Sequence, residues 1–227
     1  MINLFFGCCA LVCVFNELFI WVFYFLFMAG VADYADGMAA RLLKVKSPVG
    51  KELDSLADMV SFGVVPGAII YMLLTNSPIG IESNFPLKWW ALPGFIITVF
   101  SCWRLAKFNL DVRQSEDFIG LNTPSCTVFI TGLMLIYELD SAGLGNFIVQ
   151  PLFLYSVIVL CSFLLVAEIP MFSFKFKGMQ WQGNEDRIVF MLVSFLLMFL
   201  LKEIAFSLII ILYVLYSLTR NLVFKNS

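Results

Sequence analysis

The chain has 227 residues, of which 61% are hydrophobic and 13% charged, and its formal net charge is −2. Soluble globular domains are about 45–50% apolar, so the composition excludes an ordinary soluble domain and predicts a polytopic membrane protein. The sequence has no histidine. A histidine general base and a histidine-ligated metal are therefore excluded. The sequence also lacks a basic tail of the kind that would indicate nucleic-acid binding.

Apolar segments along the chain predict an all-α fold, a bundle of about eight transmembrane helices that forms one domain over residues 1–227. In chain order the segments are Ile2–Phe15, Glu17–Leu43, Gly50–Leu74, Leu87–Phe108, Pro124–Leu139, Pro151–Phe172, Arg187–Leu201 and Ile204–Val223. The first is short, since a crossing needs about 20 apolar residues. The second ends in polar turns and the third begins with polar turns, which predicts a polar junction at one membrane edge.

The basic residues are distributed unequally between the two ends of these segments. One end carries Arg41, Lys44, Lys46, Lys51, Arg104, Lys107, Arg113, Lys175, Lys177, Arg187, Arg220 and Lys225. The other end carries only Lys88 and Lys202. Because cytoplasmic loops are enriched in lysine and arginine, we expect the polar junction and both termini to lie in the cytoplasm.

The polar junction, DYADGMAARLLKVKSPVGKELDSLAD, runs from Asp33 to Asp58 and holds four aspartates. On a helix through residues 32–45, one face carries Asp33, Asp36, Gly37, Ala40 and Arg41. Ser47 and Pro48 predict the start of a second helix. Its face carries Gly50, Asp54 and Asp58. Two antiparallel helices joined by a short turn can therefore direct all four carboxylates into one gap.

Four carboxylates in one gap repel unless some are protonated or a cation lies among them. Carboxylate oxygens select hard divalent ions such as Mg²⁺, Mn²⁺ or Ca²⁺, and such an ion beside Arg41 is suited to gripping a pyrophosphate. Gly37 and Ala40 lack bulk, so a flat group can approach the helix backbone.

Two other interpretations of the aspartates are a solvated face beside the membrane and the ion pathway of a cation transporter. The confinement of acidic and small residues to one stripe argues against the solvated face. An ion pathway remains open, although it does not require Gly37, Ala40 and Arg41 at their spacing.

The pattern D-x-x-D-G-x-x-A-R, then eight residues, then G-x-x-x-D-x-x-x-D resembles the signature of the CDP-alcohol phosphotransferases, with no position missing. Three longer blocks resemble the type II phosphatidylserine synthases of bacteria and archaea within that family. They are SPVGKELDSLADMVSFGVVPG from Ser47, RLAKFNLD from Arg104 and FIGLNTP from Phe118. The blocks cover roughly residues 33–124.

The resemblance implies transfer of a phosphatidyl group from CDP-diacylglycerol to the hydroxyl of L-serine, in a homodimer in the inner membrane of a prokaryotic cell. It implies that Asp33, Asp36 and Asp54 ligate Mg²⁺ or Mn²⁺, with Ca²⁺ as another possible occupant. Asp58 would help to ligate a second ion and act as general base. Asp33, Gly37, Ala40, Arg41 and Gly50 would bind or accommodate the CDP-diacylglycerol. Direct attack by serine and a covalent phospho-enzyme both remain open, as does another acceptor such as glycerol 3-phosphate or an inositol phosphate.

A site for the serine carboxylate is predicted at the cytoplasmic end of the fourth segment. Arg104 would bind the carboxylate, and Asn109 and Lys107 lie nearby in RLAKFN. The alternative is that these basic residues only anchor the helix end at the lipid headgroups.

The chain departs from the family pattern at two places. Members typically carry an interfacial segment with the pattern P-N-x-x-T-x-x-N before their first span, whereas this chain begins close to where that pattern ends, at Asn3. We therefore expect a fragment or a misassigned start codon. In FIGLNTP, Asn122 stands where the branch usually has proline.

Overall fold

The computed structural model describes residues 1–43, 48–82, 85, 87–110, 118–172 and 184–224. Its α-helices are α1 (Ile2–Phe15), α2 (Phe19–Leu42), α3 (Pro48–Met59), α4 (Val65–Thr75), α5 (Pro78–Glu82), α6 (Ile96–Leu110), α7 (Thr123–Glu138), α8 (Gly145–Ile148), α9 (Pro151–Val166), α10 (Glu185–Leu201) and α11 (Glu203–Phe224). A π-helical turn spans Val60–Val64, and 3₁₀ turns span Trp89–Phe95 and Ser141–Gly143. Two short strands, β1 (Phe118–Ile119) and β2 (Pro170–Met171), pair antiparallel.

Each of the eight predicted segments overlaps at least one helix of more than ten residues, and most bounds agree within a few residues. The third segment overlaps two helices, α3 and α4, which the π-helical turn joins. Pro48 begins α3 as predicted, whereas the predicted cap Ser47 lies outside the described residues. The same is true of several residues in the orientation argument: Lys44, Lys46, Arg113, Lys175, Lys177 and Lys225. The cytoplasmic orientation therefore stays a prediction.

Four helical stretches in the described part of the chain are long and apolar enough to cross a membrane: Phe19–Ala39, Pro48–Thr75, Trp89–Leu110 and Glu203–Asn221. Two shorter helices, α1 and α9, are also apolar. Large apolar side chains such as Leu152 and Phe199 are more than 80% exposed, as expected where a helix faces lipid. These features indicate a membrane protein, while the number of eight crossings stays a prediction.

The centre of the bundle is formed by α4 and α7, whose side chains are mostly buried. Ile69, Ile70, Leu73 and Leu74 of α4 are fully buried. Around this centre, α1 packs on α2, α6 packs on α9 and α11 packs on α7. Gly132 permits the last contact, because a Cβ there would collide with Ser207 of α11. The core thus holds in place the ends of the helices that carry the aspartates.

The π-helical turn between α3 and α4 lies directly after Asp58 and has an identifiable cause. Pro66 has no N–H, and its ring crowds the carbonyl of the residue four positions earlier, Phe62. Thr127 of α7 donates a hydrogen bond to that carbonyl at 3.1 Å, and Thr98 of α6 donates to the carbonyl of Gly63 at 2.9 Å. Neighbouring helices therefore satisfy the backbone groups of the distorted turn, as buried backbone requires.

Candidate active site

Three carboxylates from α2 and α3 converge at the polar junction. Asp54 and Asp58 are one helical turn apart on α3, so both face the same side, and Asp33 approaches them from α2. One oxygen of each carboxylate lies within 4.8 Å of the other two. Asp33 and Asp58 are partly buried, whereas Asp54 is exposed.

This donor set fits a hard divalent cation. Three carboxylates this close repel one another when charged, and oxygen-only ligands of this kind suit Mg²⁺, Mn²⁺ or Ca²⁺. Asp33, Asp54 and Asp58 are the residues that would hold the ion. When bound, the cation would neutralise the carboxylates and stabilise negative charge on a ligand beside them.

Asp36, the fourth predicted ligand, does not join this cluster in the structure. Its Oδ2 atom lies 3.1 Å from the amino group of Met1, and the side chain is about half exposed. The assignment of Asp36 as a metal ligand stays a prediction.

The remaining signature residues lie on the same two helices. Arg41 is exposed and its Nε donates to the carbonyl of Gly37 at 3.1 Å. A Cβ at Gly37 would meet nothing within 4 Å, so the backbone there is open to an approaching group. Gly50 is exposed in the first turn of α3, one turn before Asp54. Ala40 lies in α2.

A polar cavity of about 270 Å³ opens beside two of the carboxylates. Its lining includes Asp54, Asp58, Arg104, Asn109 and Thr123. Drug-sized ligands usually occupy sites of about 300–1,000 Å³, so this cavity suits a smaller molecule. Its lining contains carboxylates from α3 and cationic groups from both α3 and α6.

Arg104 is a buried cation in the wall of this cavity, with only 7% of its surface exposed. Its Nε donates to the carbonyl of Leu121 at 2.6 Å, and its guanidinium lies over the ring of Phe108. Within the described part of the chain, no acidic side chain forms an ion pair with it. Because a buried charge normally has an opposite partner, Arg104 is well suited to bind an anionic ligand.

The two other residues predicted near serine differ in their placement. Asn109 lines the cavity. Its side-chain Nδ2 donates a hydrogen bond to Ser55 at 2.8 Å, and its backbone carbonyl accepts one from Lys51 at 3.2 Å. Lys107 instead pairs at 2.7 Å with Glu168, a residue that follows the end of α9. The structure therefore brings Asn109, but not Lys107, to the cavity of Arg104.

A second, apolar cavity of about 410 Å³ also borders the cluster. Its lining includes Leu26 of α2, Val128 of α7 and Phe206 of α11, together with Asp33 of the cluster. Gly30 also lines it, and a Cβ there would meet nothing within 4 Å. The cluster thus contributes to both cavities: Asp33 lines the apolar one, and Asp54 and Asp58 line the polar one.

Two asparagines near the site were not assigned a role from the sequence. Asn122 is the N-cap of α7: its Oδ1 accepts a hydrogen bond from the N–H of Ser125 at 2.7 Å. Asparagine is among the best N-cap residues. Its position directly before Thr123, where α7 begins, could therefore have predicted this cap from the sequence. Asn3, from α1, donates to Asp58 at 3.0 Å across 55 positions of sequence, a contact with no local signal.

Comparisons with known proteins give a consistent result. A sequence model of the CDP-alcohol phosphatidyltransferase family matches residues 1–216. The CDP-diacylglycerol–serine O-phosphatidyltransferase of Helicobacter pylori strain 26695 is 32% identical over 192 residues, covering 84% of this chain and 75% of the relative. Enzymes of the same name from Bacillus subtilis and Saccharomyces cerevisiae are 34% identical over 124 residues and 35% over 119. The match to the Bacillus enzyme covers 54% of this chain and 64% of that enzyme, and the match to the Saccharomyces enzyme covers 48% and 40%.

Proposed function

Because the chain belongs to the CDP-alcohol phosphatidyltransferase family, we propose that it transfers the phosphatidyl group of CDP-diacylglycerol to the hydroxyl of L-serine, giving phosphatidylserine and CMP. One observation supports this function best. The carboxylate cluster borders both an apolar cavity and a small polar cavity that contains a buried arginine. A lipid-linked donor and a small polar acceptor that carries a carboxylate need these two surroundings next to one reacting phosphorus.

The donor would approach from the side of α2. Its acyl chains enter the apolar cavity beside Asp33, and its cytidine and pyrophosphate lie along the open backbone at Gly37, on the helix that also carries Ala40 and Arg41. Asp33 lines this cavity and also belongs to the carboxylate cluster, which supports placing the diphosphate next to it. We further propose that the site requires Mg²⁺ or Mn²⁺, held by Asp33, Asp54 and Asp58.

The acceptor would occupy the polar cavity. Arg104 binds the serine carboxylate, and Asn109 lines the wall of the same cavity. The cationic groups among the described lining residues are Arg104 and Lys51, and Lys51 already donates to the carbonyl of Asn109. Asp54 and Asp58 line the same cavity. These carboxylates suit the ammonium group of serine and would repel a phosphate group, which favours serine over glycerol 3-phosphate or an inositol phosphate.

Asp58 would act as general base. Its carboxylate belongs to the cluster and also lines the polar cavity. It accepts the proton of the serine hydroxyl as the oxygen–phosphorus bond forms, and the bond between phosphorus and the CMP oxygen breaks. A hydroxyl is a poor nucleophile at neutral pH without such a base, and the chain has no histidine to serve instead.

The experiment that tests this function measures CMP release by the purified protein from CDP-diacylglycerol with Mn²⁺. Serine, glycerol 3-phosphate, inositol phosphate and no acceptor are compared in parallel. We expect release to depend on serine. Equal release with a phosphorylated acceptor would contradict the proposed specificity, and no release with any acceptor would contradict the proposed activity. A homodimeric assembly and a cytoplasmic location of the site stay predictions.

We expect Arg104→Ala to raise the KM for serine by about 10–100-fold, because a hydrogen bond to a charged group contributes about 1.5–3 kcal/mol. The KM for CDP-diacylglycerol should change little. The same kinetics on Lys107→Ala decide whether Lys107 contributes, and a smaller effect is expected because it pairs with Glu168. An unchanged KM for serine in Arg104→Ala would contradict this assignment.

We expect Gly30→Phe to raise the KM for long-chain CDP-diacylglycerol about tenfold. The added ring has room to enter the apolar cavity, and excluding two methylene groups costs about 1.6 kcal/mol at roughly 0.8 kcal/mol each. The matched control is Leu152→Phe, at a position of α9 that is 81% exposed. Equal KM values in the two variants would show that the cavity does not hold acyl chains.

A further inference from the structure

The amino-terminal helix makes a direct contact with the proposed general base. Asn3 lies in the first turn of α1, and only 2% of its surface is exposed. Its Nδ2 donates a hydrogen bond to Oδ1 of Asp58 at 3.0 Å. This contact connects α1 to α3, and Asn3 lies well outside the aspartate signature of residues 33–58.

The approach of α1 to the site is fixed by a second contact at the π-helical turn. Ser61, which is fully buried, donates to the backbone carbonyl of Asn3 at 3.2 Å. One turn further along α1, Gly7 faces the same serine, and a Cβ at Gly7 would collide with its Oγ. The helix is therefore seated at a close distance that holds Asn3 next to Asp58.

The amide oxygen of Asn3 shows that packing alone does not account for an asparagine at this position. Its Oδ1 is buried and has no hydrogen-bond partner in the described part of the chain. A buried acceptor without a partner destabilises a fold, so an apolar side chain of similar size would pack here at lower cost. What distinguishes asparagine at this position is the hydrogen bond to Asp58.

We propose that Asn3 is a positioning residue for Asp58, an inference that rests on the proposed function of Asp58. The terminal torsion of an aspartate is soft, so a carboxylate beside two others can rotate away from a productive orientation. The amide of Asn3 fixes Oδ1 and thereby holds the second oxygen toward the cluster and the polar cavity. Such partners of ligating or reacting carboxylates typically contribute about 10–100-fold to metal affinity or activity.

The test compares three variants of the full chain. Asn3→Leu removes the amide while keeping a similar side-chain size. Ser61→Ala removes the hydrogen bond that seats α1 but leaves the amide in place. Asn16→Ala alters an exposed asparagine at the far end of the same helix, where its side chain bonds only to the carbonyl of Val12 among described residues.

For Asn3→Leu we expect kcat for serine-dependent CMP release to fall about 10–100-fold, with KM values for both substrates within about twofold of the wild type. Its thermal midpoint should stay close to that of the wild type, because removal of the unpaired acceptor offsets loss of the hydrogen bond to Asp58. Ser61→Ala should lower the thermal midpoint and reduce kcat less than Asn3→Leu. Asn16→Ala should match the wild type in both quantities.

A second measurement does not depend on activity. Mn²⁺ binding is titrated on wild type, Asn3→Leu and Asn16→Ala without substrates, followed by electron paramagnetic resonance. A fall in kcat or in Mn²⁺ affinity in Asn3→Leu alone, at undiminished thermal stability, supports the proposal. Wild-type values for both, or a loss that follows thermal stability as in Ser61→Ala, overturn it. If the wild type itself releases no CMP with serine, the proposed function fails, and the Mn²⁺ comparison alone decides the role of Asn3.

Discussion

Asp58→Asn is expected to lower kcat for serine-dependent CMP release by about 10²–10⁴-fold, the range that a general base contributes. The substitution keeps the size of the side chain but removes its ability to accept the serine proton. It also replaces one carboxylate of the cluster, whose three oxygens lie within 4.8 Å of one another. Rates are measured at saturating substrate and saturating Mn²⁺, so that the loss is assigned to kcat and not to binding of substrate or metal.

Glu52→Gln is the matched control for this variant. Glu52 is an exposed acidic residue on the same helix, outside the carboxylate cluster, and its neutralisation changes net charge by the same amount. We expect its kcat to remain within about twofold of the wild type, as is usual for surface positions away from a site. If Asp58→Asn retained more than a tenth of wild-type kcat, Asp58 would not be the general base.

Chelation of divalent cations is expected to reduce CMP release to background, and added Mn²⁺ or Mg²⁺ should restore it. Without a cation, the close carboxylates would repel the pyrophosphate of the donor as well as each other. Asp33→Asn and Asp54→Asn should each raise the Mn²⁺ concentration required for half-maximal activity by more than about tenfold, since each removes one carboxylate ligand.

Asp36→Asn provides an informative comparison in the same titration. Asp36 belongs to the sequence signature, yet its carboxylate lies next to the amino group of Met1 and not in the cluster. A shift as large as that of Asp54→Asn would place Asp36 among the ligands in the working enzyme. Full activity of the wild type after exhaustive chelation would contradict the metal requirement itself.

The sequence was sufficient to predict the parts of the site that follow from local periodicity. Asp54 and Asp58 share a face because they are four residues apart on a helix, and Pro48 begins that helix as its missing N–H predicts. The eight apolar segments located the long helices because the length of an apolar run is also a local property of the sequence. The family resemblance at the aspartate signature is confirmed by the match over residues 1–216.

Other features depend on contacts between distant parts of the chain, which no local pattern reports. The bond between Asn3 and Asp58 spans 55 positions, and the ion pair that turns Lys107 toward Glu168 spans 61. The π-helical turn depends on Pro66 locally, but its carbonyl at Phe62 is satisfied by Thr127, 65 positions away. Arg104 was predicted at a binding site from its place at a helix end, whereas its burial became evident only in the packed bundle.

Family membership distinguishes the enzyme from the cation transporter that the aspartates alone left open. Ion transport requires acidic groups near the membrane but neither an apolar cavity nor a polar cavity with a buried arginine beside them. Both cavities border the carboxylate cluster, which suits the proposed transfer from a lipid donor to a soluble alcohol.

The most direct test of the account follows isotopically labelled serine into lipid. Purified protein is incubated with CDP-diacylglycerol, Mn²⁺ and labelled serine, and labelled phosphatidylserine and CMP are both quantified by mass spectrometry. We predict that the two products form in equal amounts, and that both disappear in Asp58→Asn but not in Glu52→Gln. CMP release without label in phosphatidylserine, or equal product from Asp58→Asn, would contradict serine transfer at this site.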